Sequence, residues 1–182
     1  MPREGVHREE TRRPPYVCAG AKLVLVINGR LLDQSGTIVV PANCTKVGSA
    51  LGITGRVYAA YPEANTYIEN CRFRAPSLFS ATAVKRRDAA GPSVVVSVFG
   101  QYNPGKPDAG RDSVRSRLGY FRVALSLLDW ECRKKKWTSV SFPANLFCGV
   151  AGGIWAEYEK EIHIFASRVP AQVYIVEEAS PS

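Results

Sequence analysis

Histidine is nearly absent from this chain: His7 and His163 are its only two. His7 lies in a charged opening stretch and His163 within a helical pattern, so no histidine-based metal site is expected. Cysteine offers no substitute. Cys18, Cys44, Cys71, Cys132 and Cys148 are odd in number, and no two have the close spacing of a zinc site. Three sit in or beside apolar segments, which points to buried free thiols in a reducing compartment. No apolar run approaches the roughly 20 residues of a membrane-spanning helix, so no membrane partner is expected. The opening "MPREGVHREETRRPPY" lacks the apolar centre of a secretory signal, and an intracellular location, cytoplasmic or nuclear, is expected. Also missing are a Gly-Lys-Ser/Thr phosphate loop and a Gly-x-Gly-x-x-Gly fingerprint in a strand-to-helix setting, which argues against the common nucleotide enzymes built on them.

What is present suits one domain. The 182 residues are 46% apolar, an ordinary fraction for a packed core. Residues 1–17 read as a disordered basic, proline-containing leader, 18–178 as the domain and 179–182 as a tail. A net charge of +8 favours anionic partners. Its densest runs are Lys85-Arg86-Arg87 and Arg133-Lys134-Lys135-Lys136. Solvated surface accounts for both, one in a turn and one at a helix C-terminus where cations suit the dipole. Weak polyanion binding is the other reading.

Short runs rich in Val, Leu and Ile predict strands over 22–30, 37–43, 93–101, 138–144 and 171–178. Residues 77–84 can pair with 93–101 as a hairpin. Val114, Leu118, Phe121, Leu125, Leu128 and Cys132 form one face of a helix over about 112–135, capped by Asp112 or Ser113. Trp155, Tyr158, Ile162 and Phe165 mark a second helix, with Trp155 as a core anchor. Ile53, Val57 and Ala60 mark a third that ends near Pro62. Helices falling between strands predict a layered α/β domain.

In such a sheet ligands bind beyond the carboxyl ends of the strands. The loops there are "NGRLLDQSG", "NCTKVGSALGIT", "GQYNPGKPDAGRD" and "ANLFCGVAGGIW". Three are rich in glycine and run into helices. Such loops present unpaired backbone N–H groups, a ready anion site, although ordinary strand-to-helix turns have the same composition.

With "INGRLL", "VPANCTKVGSALGI", "SVFGQYNPG" and "FPANLFCGVAGGIW" in this order, the chain from about Lys22 to Glu178 resembles a macro domain. That is an ADP-ribose-binding α/β module with a mixed central sheet between helical layers. The match is most specific at Cys148, Gly149, Ala151, Gly152, Gly153 and Trp155. It is nearest the branch of ADP-ribose 1″-phosphate phosphatases and terminal ADP-ribose glycohydrolases. The resemblance implies binding of ADP-ribose, or of ADP-ribosylated protein or nucleic acid, with no cofactor and no metal. Loop amides around Gly48, Ser49, Ala50, Leu51, Gly52 and Ile53 are implied on one side of the diphosphate and distal ribose. Those around Cys148, Gly149, Val150, Ala151, Gly152 and Gly153 are implied on the other. Asn43 is implied beside the distal ribose, with Phe99, Gly100 and Gln101 lining the same end, and Arg30 and Leu31 at the adenine end.

Departures from the family pattern bear on activity. Arg30 replaces the Asp that accepts a hydrogen bond from adenine, and a guanidinium cannot accept one. It could stack on the base, pair with a phosphate or abolish adenine selectivity, and Asp33 could act in its place. Phe147 and Ile154 replace a Gly and an Asp of the typical second loop. Phe147 could narrow the pocket or stack on a sugar. The Lys and Asp of the glycohydrolases would fall near Gln101 and Ala151, and neither residue can serve as nucleophile or base. Hydrolysis of an ADP-ribose derivative therefore has no evident catalytic residue here. A degenerate pocket serving nucleic-acid or protein interaction is the alternative reading.

Overall fold

The computed structural model describes residues 23–68, 74–86 and 91–178. The expected leader 1–17, the tail 179–182, Cys18 and Cys71 lie outside the described residues. Six strands form one sheet: β1 (Leu25–Asn28), β2 (Gly36–Asn43), β3 (Phe79–Ala83), β4 (Pro92–Gln101), β5 (Ser139–Pro143) and β6 (Gln172–Glu177). Their order is β1-β6-β5-β2-β4-β3, parallel except for β3, which runs antiparallel to β4. This is the layered α/β arrangement that the apolar and helical patterns predict and the mixed sheet that the resemblance implies, and the hairpin over 77–84 and 93–101 is its antiparallel edge. The helices are α1 (Gly52–Ala60), α2 (Val114–Lys135) and α3 (Trp155–Ala166).

Alternation along the central strands explains the three layers. Val96 and Val98 of β4 face one core with Phe121, Leu125 and Leu128 of α2 and Ile162 and Phe165 of α3. Val95 and Phe99 face the other core, with Ile38 and Val40 of β2 and Val57 and Tyr58 of α1. A strand covered on both faces must be apolar throughout, hence its near-continuous hydrophobic run. Trp155, half-buried, packs against the α2–α3 core as the first residue of α3.

Ser113, not Asp112, caps α2: its Oγ accepts the Ser116 N–H at 3.2 Å. At the other end Lys136 takes a left-handed conformation (φ 55°) and closes the helix on the Arg133 and Cys132 carbonyls. Arg133, Lys134 and Lys135 occupy the last turn, where cations offset the negative end of the dipole. Cys44 and Cys132 are buried free thiols and Cys148 is a half-buried one. Among the described residues no helix is long and apolar enough to cross a membrane.

Candidate functional site

The site begins with an interruption in the sheet. β2 and β5 pair only at Thr37–Val140 and Ile38–Ser141. Beyond that register each strand carries a proline, Pro41 in β2 and Pro143 in β5. Proline has no N–H to give to a ladder. β2 leads outward to β4, whereas β5 leads to β6 on the other side, so strand order also reverses here, the usual place for a ligand crevice. A cleft of about 400 Å³ opens at this point, with Pro41 and Pro143 in its floor.

Two loops wall the cleft. Leu51, Gly52, Ile53 and Thr54 line it from the start of α1, and Cys148, Val150 and Ala151 line it from a short 3-10 turn, Gly149–Ala151. The Thr54 hydroxyl donates to the Pro41 carbonyl at 2.7 Å and pins α1 to β2. Neither Leu51 before α1 nor Cys148 before the 3-10 turn supplies a side-chain cap, in contrast to Ser113 before α2. Helix geometry leaves the N–H groups of a first turn without intrahelical carbonyls. At α1 they stand at the cleft wall, with the positive end of the dipole behind them.

Asn43, Lys46, Tyr67 and Gln101 close one end of the cleft. The Asn43 backbone N–H and Nδ2 both donate to the Tyr67 hydroxyl oxygen, at 3.1 and 2.9 Å. Asn43 Oδ1 accepts the Lys46 N–H at 2.9 Å, which fixes the amide orientation. Gln101 Nε2 donates to the Gly105 carbonyl at 3.4 Å. Among the described residues that line the cleft, Lys46 is the one charged residue and none is a carboxylate. Burial pushes the Cys148 thiol up to about 11, so it stays protonated at neutral pH.

Toward β1 and β6 the cleft continues into two further depressions. The nearer shares Ile53, Pro143, Ala144 and Asn145 with it, and the farther shares Arg56, Glu177 and Glu178 with the nearer. Glu178 organises this end: its Oε1 accepts the Leu31 N–H at 2.8 Å and its Oε2 pairs with Arg56.

No family model matches this sequence, and no curated protein matches it. Solved structures do. The macrodomain of Mycobacterium tuberculosis DarG superposes with a TM-score of 0.67 at 21% identity, over 86% of this chain and 99% of that one. The macrodomain of Thermus aquaticus DarG gives 0.62 at 17% identity, over 85% and 97%. An Oceanobacillus iheyensis macrodomain variant with ADPR gives 0.64 at 14% identity, over 88% and 87%. The chain has the macrodomain fold.

Within this macrodomain fold the expected site residues separate into two groups. Asn43, Leu51, Gly52, Ile53, Gln101, Phe147, Cys148, Val150 and Ala151 line the cleft. Gly48, Ser49 and Ala50 do not: the Gly48 N–H is already given to the Tyr67 carbonyl at 2.9 Å, and Ala50 packs against the core. Phe99 is fully buried in the α1-side core. Gly100 is a packing glycine, since a Cβ there would stand 2.4 Å from Phe147 Cζ. Gly149 holds a left-handed φ of 69° in open space. Gly152 and Gly153 are outside the cleft lining and pack closely against protein: a Cβ would meet Pro107 Cδ at 2.9 Å in the first case and the Phe147 carbonyl oxygen at 2.5 Å in the second. Ile154 is exposed, outside the cleft lining.

Phe147 reaches the cleft lining, but most of it belongs to the core. Its ring is buried against Phe121 and Tyr158, with centroids at 5.8 and 5.7 Å. At the far end Leu31 is buried and its N–H is taken by Glu178. Arg30 is exposed and lies 4.0 Å from Asp33. The carboxylate beside the Leu31 amide is thus Glu178, not Asp33. Sequence reasoning also passed over Lys46, Tyr67 and Arg117. Tyr67 had a readable signal, an aromatic closely following the helix-ending Pro62, but no pattern showed which way it turned.

Arg117 braces the walls from beneath. Its Nη1 donates to the Gly105 and Ala151 carbonyls at 2.8 and 2.9 Å, and its Nη2 to those of Asn103 and Lys106, both at 3.2 Å, and to Asp112 Oδ2 at 2.5 Å. Asp112 in turn accepts the Tyr102 and Asn103 N–H groups at 2.7 and 3.0 Å. The pair ties the loop after β4 to the second cleft wall.

Proposed function

We propose that this cleft binds ADP-ribose or an ADP-ribose derivative, free or carried on a modified protein or nucleic acid. The observation that carries the reading is the cleft's electrostatic character: uncapped helix and turn starts on facing walls and, among the described lining residues, one ammonium group and no carboxylate. Backbone N–H groups at a helix start hold phosphate without a formal counter-charge. The diphosphate would lie between Gly52–Thr54 and Val150–Ala151, with the distal ribose toward Asn43 and the adenosine toward β1 and β6. The structural neighbour holding ADPR supports this choice among phosphate-bearing ligands. At the adenosine end the Glu178 carboxylate supplies an acceptor that Arg30 cannot.

Turnover is assigned to no side chain. Among the described residues the cleft lining has no carboxylate or imidazole, and the Cys148 thiol is protonated. A hydrolytic step at this site would draw its proton acceptor from a phosphate of the ligand itself. The alternative of a repurposed pocket rests on Arg30, Phe147, Ile154 and the basic balance; of these, Phe147 belongs to the core cluster and Ile154 stands outside the cleft lining.

Isothermal titration of the full chain with ADP-ribose is expected to release heat, with ADP binding more weakly because it lacks the distal ribose. Absence of both heat and a thermal shift at millimolar ADP-ribose would overturn the reading.

A further inference from the structure

The Tyr67 hydroxyl is saturated as an acceptor and unused as a donor. Its oxygen takes two hydrogen bonds, from the Asn43 backbone N–H and from Asn43 Nδ2. Both hydrogen bonds that this hydroxyl makes among the described residues are accepted ones. The residue is 4% exposed and lines the cleft. A phenol oxygen that accepts twice still has its own hydrogen to give, and the cleft that Tyr67 lines is where an acceptor for it can stand.

The surroundings hold this hydroxyl in place. The Tyr67 N–H donates to Asn65 Oδ1 at 2.8 Å, and its carbonyl accepts the Gly48 N–H at 2.9 Å. Its ring meets Tyr58 edge to face, with centroids 5.6 Å apart. Burial pushes the phenol up to about 12, so the hydrogen is present throughout the neutral range. Tyr67 lines the cleft beside Asn43, Lys46 and Gln101, where the Lys46 ammonium also has only donors to offer.

We infer that the Tyr67 hydroxyl donates its hydrogen into the distal end of the cleft and selects ligands that carry an oxygen acceptor there. This rests on the ADP-ribose reading and adds to it a specificity-determining residue. Asn43 acts in support: by donating twice to the phenol oxygen it directs the phenol hydrogen away from itself. With Lys46 alongside, an anionic oxygen such as a phosphate on the distal sugar is the acceptor best served.

The test compares three probes, ADP, ADP-ribose and ADP-ribose 1″-phosphate, by calorimetry on the full chain and on Tyr67→Phe. Both proteins are first checked for an intact thermal transition. Tyr67→Phe is expected to weaken ADP-ribose 1″-phosphate by roughly tenfold, ADP-ribose by less, and ADP not at all, since a hydrogen bond to a charged acceptor is the stronger one. Lys46→Gln, at a half-buried position, is expected to weaken the 1″-phosphate compound alone and to reduce the salt dependence of its binding. Equal loss for all three probes in Tyr67→Phe would reduce Tyr67 to a scaffold role and overturn the inference, and so would no loss for any. Should Tyr67→Phe fail to fold, Lys46→Gln carries the test: unchanged 1″-phosphate affinity there overturns the selective distal end. If the unsubstituted chain binds none of the probes, the ADP-ribose reading itself fails, a result distinct from either.

Discussion

Arg117→Met is expected to lower folding stability by about 3–5 kcal/mol, the usual cost of breaking a buried ion pair by removing one partner. Arg117 and Asp112 are each 1% exposed, and the guanidinium serves four backbone carbonyls besides the carboxylate. Methionine fills much of the same space but serves none of these acceptors. The Asp112 carboxylate is then left in the interior with only two backbone N–H partners. A second substitution, Asp112→Asn, is expected to recover part of the loss by removing the stranded charge. Urea denaturation of the unsubstituted chain, Arg117→Met and the double variant measures this, and an Arg117→Met midpoint indistinguishable from the unsubstituted chain would contradict it.

The same pair sets a pH dependence. Burial pushes the Asp112 carboxyl up, but the hydrogen bond from Arg117 and those from the Tyr102 and Asn103 N–H groups outweigh it and hold the group below the ordinary carboxylate value. A depressed folded-state pKa stabilises the fold above the unfolded value, and that contribution is lost as pH falls through the folded one. The unsubstituted chain should therefore lose stability on acidification below about pH 4. The Asp112→Asn variant should lose less over the same range.

Phe147→Ala is expected to cost about 3–5 kcal/mol, the range for emptying a buried aromatic site. Its backbone is what makes the site unusual. Phe147 sits at φ 59° and Asn145 at φ 58°, both in the left-handed region. Asn tolerates that region, but for a bulky residue it is strained by about 1–3 kcal/mol. The strain persists because the ring is locked against Phe121 and Tyr158 and because Gly100 has no side chain in its way. Gly100→Ala should then destabilise by about 1–3 kcal/mol through overpacking. Combined with Phe147→Ala, the added methyl enters vacated space, so the double variant should lose clearly less than the sum of the singles. Additive losses would show that the two positions do not meet.

The region around Phe147 shows where sequence reasoning stopped. Strands and helices were legible because period-two and period-3.6 patterns are local properties of the chain. The two-sided burial of β4 followed from its unbroken apolar run, and the hairpin from the spacing of 77–84 and 93–101. The loops were legible as loops, but the purpose of their glycines was not. Gly100, Gly152 and Gly153 answer to atoms of Phe147 and Pro107 brought close by the fold, and composition reads the same for a phosphate as for a neighbouring ring. Arg117 on a helix reads as one more surface cation, because its acceptors come from the loops at 103–106 and at Ala151. Glu178 lies 147 positions from the Leu31 amide it accepts, beyond any local pattern. Phe147, Tyr67 and Arg117 share one cause: side-chain direction is fixed by long-range packing.

The most direct measurement is a backbone amide NMR titration of the full chain with ADP-ribose. The account predicts that the largest shifts fall on the Gly52, Ile53, Val150 and Ala151 N–H groups, with smaller ones at Asn43 and Leu31. Shifts confined to the C-terminal turn of α2 around Arg133–Lys136, or none along the cleft, would contradict it.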